Sequence, residues 1–236
     1  MLIASRYCGP PRSGNGGYVA GALAGHLPPG AAAVRLKLPP PLEKELRVEA
    51  TREIARLFDG ETVVAEARPT ELDVEAPLAP TYAEAVEASK SFTGFHHHPF
   101  PTCFVCGPAR KEGDGLRIFP GLIESRDLFV APWNPDASLA DVTGRVDPTF
   151  VWGALDCTGV FAFPVAYEGK VLVLGELCTR IDGGISPGER CIAAGWSLGI
   201  DGRKRYAGSA VYSADGRAVA VARATWIEVP RDGITE

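Results

Sequence analysis

The pattern of apolar and polar positions predicts a helix followed by strands, and it predicts this arrangement twice. A glycine-rich turn at 13–17 opens an apolar run rich in alanine and leucine, which ends at Leu27 before a Pro-Pro-Gly stop. A second turn at 146–149 opens another apolar run, which extends to about Phe163. Because similarity between two segments at this scale indicates repeated units, the sequence predicts an internal duplication.

Strand-like segments accompany each predicted helix. Period-2 alternation of apolar and polar residues predicts strands at 33–38, 46–50, 63–67, 115–119, 127–130, 170–181, 189–200, 204–213 and 217–229. Asp-Gly pairs at 59–60, 201–202 and 215–216 predict tight hairpin turns. Since strands joined by tight turns pair antiparallel, we predict an α+β fold rather than an α/β fold.

A central helix wrapped by an antiparallel sheet, repeated once, is the outline of a double hotdog fold. We place an N-terminal unit at 1–90, with a trimmed sheet, and a C-terminal unit at 91–236, with a full sheet. The segment 77–91 carries a short helix-like run at 82–88 and is predicted to connect the two units. Each unit is close to the common size of a domain.

Composition and charge restrict the class of protein. The formal net charge of −5 leaves no basic stripe for nucleic acid, and no stretch approaches the 18 apolar residues of a membrane span. The first residues lack a signal-peptide core, so we expect a cytoplasmic protein. Six cysteines in 236 residues are too sparse for a disulfide scaffold, which predicts reduced thiols.

Residues 103–119 and the two helix starts resemble a known family. Cys103-Phe104-Val105-Cys106-Gly107, with Gly115–Phe119 downstream, is similar to the opening of hotdog acyl-CoA thioesterases of the phenylacetate-pathway type. The resemblance implies a His-Gly-Gly turn at the helix start and an acid nine positions after that His. The first helix has Asn15-Gly16-Gly17 at the turn but Ala24 at the acid position, whereas the second has Asp147-Pro148-Thr149 and Asp156.

The resemblance therefore implies one composite site between the two units. Asn15, Gly16 and Gly17 would present backbone N–H groups whose partial positive charge favours a developing oxyanion. Asp156 would be the general base or the nucleophile. The reciprocal pair would be inactive, because Pro148 has no N–H and Ala24 has no acid.

The activity that the resemblance implies is hydrolysis of an acyl-CoA thioester. Coenzyme A would take part only as a portion of the substrate, with no metal or redox cofactor. Hotdog sheets often associate, so a homodimer is a reasonable expectation.

Three further candidates lie in the second half of the sequence. Glu176 resembles the catalytic acid of type II acyl-CoA thioesterases and is a rival to Asp156, and Thr158 is a candidate substrate contact. Cys103 and Cys106, with His96–His98 upstream, have the spacing of half a zinc site. No second pair follows, and the family resemblance implies instead that the cysteines begin the first strand. We predict that the histidines form a solvated loop.

The sequence leaves structural alternatives open. Asn15-Gly16-Gly17 can simply make a turn and cap a helix, and Asp156 can be a paired acid in the core. The chain is then either a thioesterase, a non-catalytic acyl or acyl-CoA binding module, or a structural protein.

Overall fold

The fold combines helices with one large antiparallel sheet, and the computed structural model describes residues 1–164, 166–167, 169–232 and 234. The helices are α1 (Gly16–Ala24), α2 (Tyr82–Ser89) and α3 (Pro148–Val160). The strands are β1 (Ala32–Leu36), β2 (Arg47–Ala50), β3 (Ala55–Asp59), β4 (Thr62–Pro69), β5 (Gly121–Ile123), β6 (Leu128–Trp133), β7 (Ala166–Tyr167), β8 (Lys170–Ile181), β9 (Cys191–Asp201), β10 (Lys204–Tyr212) and β11 (Ala218–Pro230). The predicted α+β class is confirmed.

The strand order is β2-β3-β4-β1-β8-β11-β10-β9-β6-β5, with β7 paired to β8. The strands β1–β4 follow α1 and the strands β8–β11 follow α3, with the two-residue β7 added before β8, and in each set of four the first strand pairs with the last. The two first strands, β1 and β8, pair antiparallel with Ala32 opposite Thr179 and Arg35 opposite Glu176. The halves thus share a topology and meet in one continuous sheet of hotdog type. Their boundary at residue 90 and their origin by duplication stay predictions.

The first half has the shorter strands, as predicted. β1 has 5 residues and β8 has 12, while β4 has 8 and β11 has 13. The longer strands of the second half wrap α3, whose residues from Val151 to Val160 are all buried. Both α1 and α3 lie against the same core.

The two central helices approach each other almost to backbone contact. A Cβ placed on Gly17 would lie 2.4 Å from the Cβ of Asp156, and one placed on Gly21 would lie 2.8 Å from the Cβ of Trp152. The later residue of α1 faces the earlier residue of α3, so the helices run in opposite directions. Glycines four residues apart share one face of a helix and allow this approach.

One predicted strand is wrong. Residues 115–119 form no ladder, and the strand in this region, β5, begins at Gly121. Instead, Leu116 N–H donates to Phe104 O at 2.8 Å and Ile118 N–H donates to Val105 O at 2.9 Å. The segment therefore covers the turn that contains Cys103 and Cys106 rather than joining the sheet.

The cysteines at 103 and 106 lie in a turn and not at the start of a strand. Gly107 N–H donates to Cys103 O at 2.9 Å, and a Cβ on Gly107 would lie 2.5 Å from that same oxygen. The chain reverses here because a glycine permits the close approach. The prediction that these residues begin a strand is therefore wrong.

Among the described residues, none of the helices combines the length and the apolar character needed to cross a bilayer.

Candidate functional site

The first turn of α1 presents a backbone amide that has no partner in the described part of the chain. An α-helix leaves its first N–H groups without intrahelical acceptors. The Tyr18 N–H donates to Asn15 Oδ1 at 2.9 Å, and the Gly17 N–H donates to Asp156 Oδ2 at 2.8 Å. For the N–H of Gly16 the described residues supply no acceptor, and Gly16 lies on the wall of a cavity.

Asn15 connects this helix start to the acid on α3. Its side chain is 2% exposed and caps α1 through Oδ1, as the capping alternative predicted. Its Nδ2 donates to Asp156 Oδ2 at 3.1 Å. A single asparagine thus caps α1 through its oxygen acceptor and holds the acid of α3 through its NH₂ donor.

The two oxygens of Asp156 have opposite surroundings. Oδ2 accepts hydrogen bonds from Gly17 and Asn15, whereas Oδ1 is buried and has no hydrogen-bond partner among the described residues. Burial raises the pKa of Asp156 to about 7, against the lowering effect of the two donors. A group with a pKa near neutrality can take up and release a proton under ordinary conditions.

Three cysteines lie beside Asp156. The Sγ atoms of Cys103, Cys106 and Cys157 are all within 4.8 Å of one another, and each residue is buried. Asn15 Nδ2 is 3.6 Å from Cys157 Sγ and 3.8 Å from Cys103 Sγ. Hydrogen bonds from the thiols of Cys106 and Cys157 hold the pKa of Cys103 well below its usual value, while burial raises the pKa of Cys106.

His98 is also part of this region, although the sequence placed the histidine run in a solvated loop. His96 and His97 are exposed, but burial lowers the pKa of His98, so its ring is neutral. Nδ1 accepts a hydrogen bond from Phe100 N–H at 3.0 Å, which leaves the proton on Nε2. Nε2 is buried and, within the part of the chain that the structure describes, has no hydrogen-bond partner, so it is a second available donor after the Gly16 N–H.

These groups share a cavity of about 470 Å³. Its wall carries Gly16, His98 and Asp156, and it also includes all three clustered cysteines. The rest of the lining is mostly apolar and includes Leu36, Phe100, Val160, Phe161, Leu174 and Trp226. An apolar cavity with a few convergent polar groups is the usual form of a small-molecule site.

Two predicted site residues do not reach the cavity. Glu176 lies on the opposite face of β8 and forms an ion pair with Arg35 on β1, at 2.8 Å. Thr158 is buried and donates its hydroxyl hydrogen bond to Ala154 O in the preceding turn, at 2.7 Å. The structure therefore does not bring Glu176 or Thr158 to the wall of the cavity that Asp156 lines.

Gly17 was predicted as an oxyanion donor at the start of α1. It lies in the first turn of that helix, but its N–H donates to Asp156. The oxyanion donor that the geometry leaves available on α1 is Gly16. At the start of α3, Asp147 caps the helix by accepting from Thr149 N–H at 2.8 Å, and Pro148 supplies no donor. The two helix starts are thus chemically different.

Cys157 was not predicted as a site residue, although it follows Asp156 directly, and His98 was predicted to lie in a solvated loop. The contact of Cys157 with Cys103 spans 54 residues of sequence. No spacing rule connects a turn to a helix at such a separation, so only the packing of α3 against the 103–107 turn reveals the cluster.

No protein-family model matches the chain, and no curated protein matches it. Similar solved structures include a phenylacetic acid degradation-related protein from Ralstonia eutropha JMP134, at 14% identity and a TM-score of 0.43, covering 48% of this chain and 85% of that one. An uncharacterized protein from Pyrococcus horikoshii is 20% identical with a TM-score of 0.41, covering 48% and 82%. DHNA-CoA thioesterase from Staphylococcus aureus is 13% identical with a TM-score of 0.37, covering 45% and 77%. The set contains thioesterases, and the likeness concerns the fold alone.

Proposed function

We propose that the chain hydrolyses an acyl-CoA thioester at the cavity between α1 and α3. The observation that carries this proposal is the state of Asp156. One of its oxygens is held by Gly17 and Asn15, and the other is unpartnered on the wall of a largely apolar cavity. A buried acid with one free oxygen is equipped to accept a proton from a molecule in that cavity.

The reaction requires a base and a donor for the oxyanion. Asp156 Oδ1 takes a proton from a water molecule as the water attacks the thioester carbonyl carbon. The negative charge that develops on the carbonyl oxygen is stabilised by the Gly16 N–H at the positive end of α1. The carbon–sulfur bond then breaks, the thiolate leaves, and the proton on Asp156 passes to the thiolate sulfur.

The lining of the cavity supports an acyl substrate. Aliphatic and aromatic side chains cover most of its wall, which favours the burial of a hydrocarbon or aromatic acyl group. Arg12 and Lys37 also line it, and both are largely exposed. Cations at a solvent-facing rim suit the phosphates of coenzyme A. The thioester class itself follows from the resemblance of the helix starts.

The test is release of free thiol from a panel of acyl-CoAs. Wild-type protein should turn over at least one member of the panel, and Asp156→Asn should lower turnover by about 10² to 10⁴. The matched control is Glu176→Gln, which removes a carboxylate of the surface ion pair and should leave turnover unchanged. Turnover that survives Asp156→Asn would contradict the assigned base.

A non-catalytic acyl or acyl-CoA binding module is the second candidate. Asn15 stands where the resemblance implies a histidine, and the amide of Gly17 is already engaged, which weakens polarisation of a carbonyl. A binding module would be protected against thermal unfolding by acyl-CoA without releasing thiol. An enzyme would show both effects, so the two measurements on one preparation separate the candidates.

A further inference from the structure

The three clustered thiols have the arrangement of metal ligands. Of the six cysteines, three lie together with every pair of Sγ atoms within 4.8 Å, and all six are free thiols. Cys103 and Cys106 come from one turn, and Cys157 comes from α3. A pair from a Cys-x-x-Cys turn completed by a residue from another element is a common way to build a zinc site.

The distance between the sulfurs of Cys103 and Cys157 agrees with tetrahedral coordination. Cys103 Sγ and Cys157 Sγ are 3.7 Å apart. Two thiolates at the usual Zn–S distance of about 2.3 Å, at tetrahedral angles, lie about 3.8 Å apart. The sulfurs need no rearrangement larger than a side-chain adjustment to meet one ion.

A buried amide donor lies beside two of these sulfurs. Asn15 Nδ2 lies within hydrogen-bonding distance of both Cys103 Sγ and Cys157 Sγ. Donors around ligating atoms are the outer shell that orients ligands in metal sites.

The cavity gives an ion a route to the thiols and a place for one more ligand. All three cysteines line it, so an ion can reach them without unfolding of the chain. Asp156 and His98 line the same cavity, and each has a buried polar atom, Oδ1 and Nε2, without a hydrogen-bond partner in the described part of the chain. Buried polar atoms are normally paired, so these two favour a polar ligand such as water in the cavity.

We infer that Cys103, Cys106 and Cys157 bind a zinc ion, with a fourth position that opens to the cavity. Each thiol gives up its proton when the ion binds. Three protein ligands with an open fourth position is the pattern of zinc sites that take an exchangeable ligand. The inference goes beyond the proposed function and replaces the expectation of no metal that followed from the sequence.

The test begins with metal content. Protein produced without a histidine tag and in zinc-supplemented medium should carry about one zinc per chain by elemental analysis. The variants Cys103→Ala, Cys106→Ala and Cys157→Ala should each weaken zinc affinity by more than about 100-fold. The loss of a ligating sulfur costs more affinity than the loss of a group that only hydrogen-bonds to a ligand. Cys191→Ala is the matched control, since Cys191 is equally buried but lies outside the cluster.

A spectroscopic measurement keeps the inference testable if the alanine variants do not fold. Reduced wild-type protein titrated with Co²⁺ should develop thiolate-to-cobalt charge-transfer absorption and the intense bands of tetrahedral coordination, and zinc should displace both. Folded, reduced protein that shows no such absorption would overturn the inference. A purified protein with copper in place of zinc, or a Cys103–Cys157 disulfide that resists mild reductant, would also overturn it.

Metal binding and thioester hydrolysis can fail separately in this design. Asp156→Asn is expected to lose turnover but to keep the cobalt absorption, because the thiolates that give rise to it are unchanged. Cobalt binding without any turnover in wild type would remove the proposed function and leave the zinc site standing.

Discussion

At the scale of the residue, the burial of Asp156 lowers the stability of the fold at neutral pH. Its carboxyl group is 1% exposed, and the two donors on Oδ2 only partly offset the loss of hydration. The pKa is raised to about 7, so the fold favours the protonated form. A carboxyl group placed for structure alone would normally have both oxygens paired.

This shift predicts how stability depends on pH in protein kept free of metal by a chelator. Because the pKa of Asp156 is higher in the folded state, its stabilising contribution is complete below about pH 4 and is lost as pH rises to about 7. The loss is on the order of 4 kcal/mol. Asp156→Asn removes this titration, so the variant should gain in stability relative to wild type as the pH rises.

Urea unfolding of the two proteins from about pH 4 to about pH 8 measures the difference directly. In the difference between the two proteins, the contributions of the other carboxyl groups to the free energy of unfolding cancel. One such group is Glu66, whose pKa is lowered to about 2 by the Arg56 guanidinium. Free energies of unfolding that stay parallel across this range would contradict the raised pKa.

Gly16 offers a second prediction at this scale, because proline can remove its N–H. Proline is tolerated at the first position of a helix and Asn15 already has an extended backbone, with ψ at 130°. If the Gly16 amide stabilises the oxyanion, Gly16→Pro should lower turnover by about 10² to 10³ relative to Gly16→Ala.

Gly16→Ala is the reference in this comparison. It introduces a Cβ that approaches the Leu174 side chain at 2.7 Å, as the proline also does, but it keeps the N–H. Thiol release from the same acyl-CoA by both variants is the measurement. Equal turnover in the two would show that this amide has no part in catalysis.

The resemblance of the helix starts predicted that Asn15, Gly17 and Asp156 lie near one another, and in the structure Asp156 accepts hydrogen bonds from both other residues. Thr158 was misplaced because two residues of helix correspond to a rotation of about 200°, which directs it to the sheet. Glu176 was misplaced because alternate residues of a strand point to opposite faces.

At the scale of the element, the contact between α1 and α3 determines whether the site forms. The hydrogen bond between Gly17 N–H and Asp156 requires the two helices to be close enough for a backbone amide to reach a side chain. That approach depends on the absence of a Cβ on Gly17. The same glycine therefore serves packing and the orientation of the acid.

We predict that Gly17→Ala destabilises the fold, whereas Gly25→Ala at the other end of α1 does not. A Cβ on Gly17 would lie 2.6 Å from Trp152 O and 2.4 Å from Asp156 Cβ, which forces the helices apart. Overpacking of this kind costs about 1 to 3 kcal/mol. At Gly25, with φ of −59°, the nearest atom is at 3.5 Å, so alanine should be neutral or stabilise by up to about 1 kcal/mol.

Chemical unfolding of both variants checks this contrast within one helix. The expected order of stability is Gly25→Ala at or above wild type, and Gly17→Ala below it. A Gly17→Ala variant as stable as wild type would mean that the helices can separate without cost, and the Asp156 hydrogen bond would then not define the site.

Elements were predictable where the local pattern agrees with tertiary structure. The strand predicted at 170–181 coincides with β8, and the Asp-Gly turns at 60, 202 and 216 join the strands as expected. The segment 115–119 has a strand-like composition, but its amides bond to the Cys103–Cys106 turn. β3 escaped prediction because only five residues separate its start from the hairpin at Gly60.

At the scale of the whole molecule, the two halves are joined twice. The β1–β8 pairing continues one sheet across them, and α1 packs against α3 inside. The exposed Arg35–Glu176 pair at this junction contributes at most about 1 kcal/mol, so the backbone ladder and the helix contact provide the coupling. A sequence pattern cannot show this junction, because it is a contact between strands more than 130 residues apart.

This coupling predicts that the chain unfolds in a single cooperative transition. The four tryptophans, Trp133, Trp152, Trp196 and Trp226, all belong to the second half, so their fluorescence reports the folding of that half, and Trp152 adds a signal from its contact with Gly21 of α1. Hydrogen exchange of the β1 and β4 amides in increasing denaturant follows the first half. Since neither half can lose its partner without exposing an edge strand and one face of a central helix, both probes should give the same midpoint and the same free energy of unfolding.

Exchange of β1 and β4 at a lower denaturant concentration than the fluorescence change would show that the first half opens alone. Asp156 would then lose Gly17 and Asn15 in a partly folded state, and the site would exist only while both halves are folded.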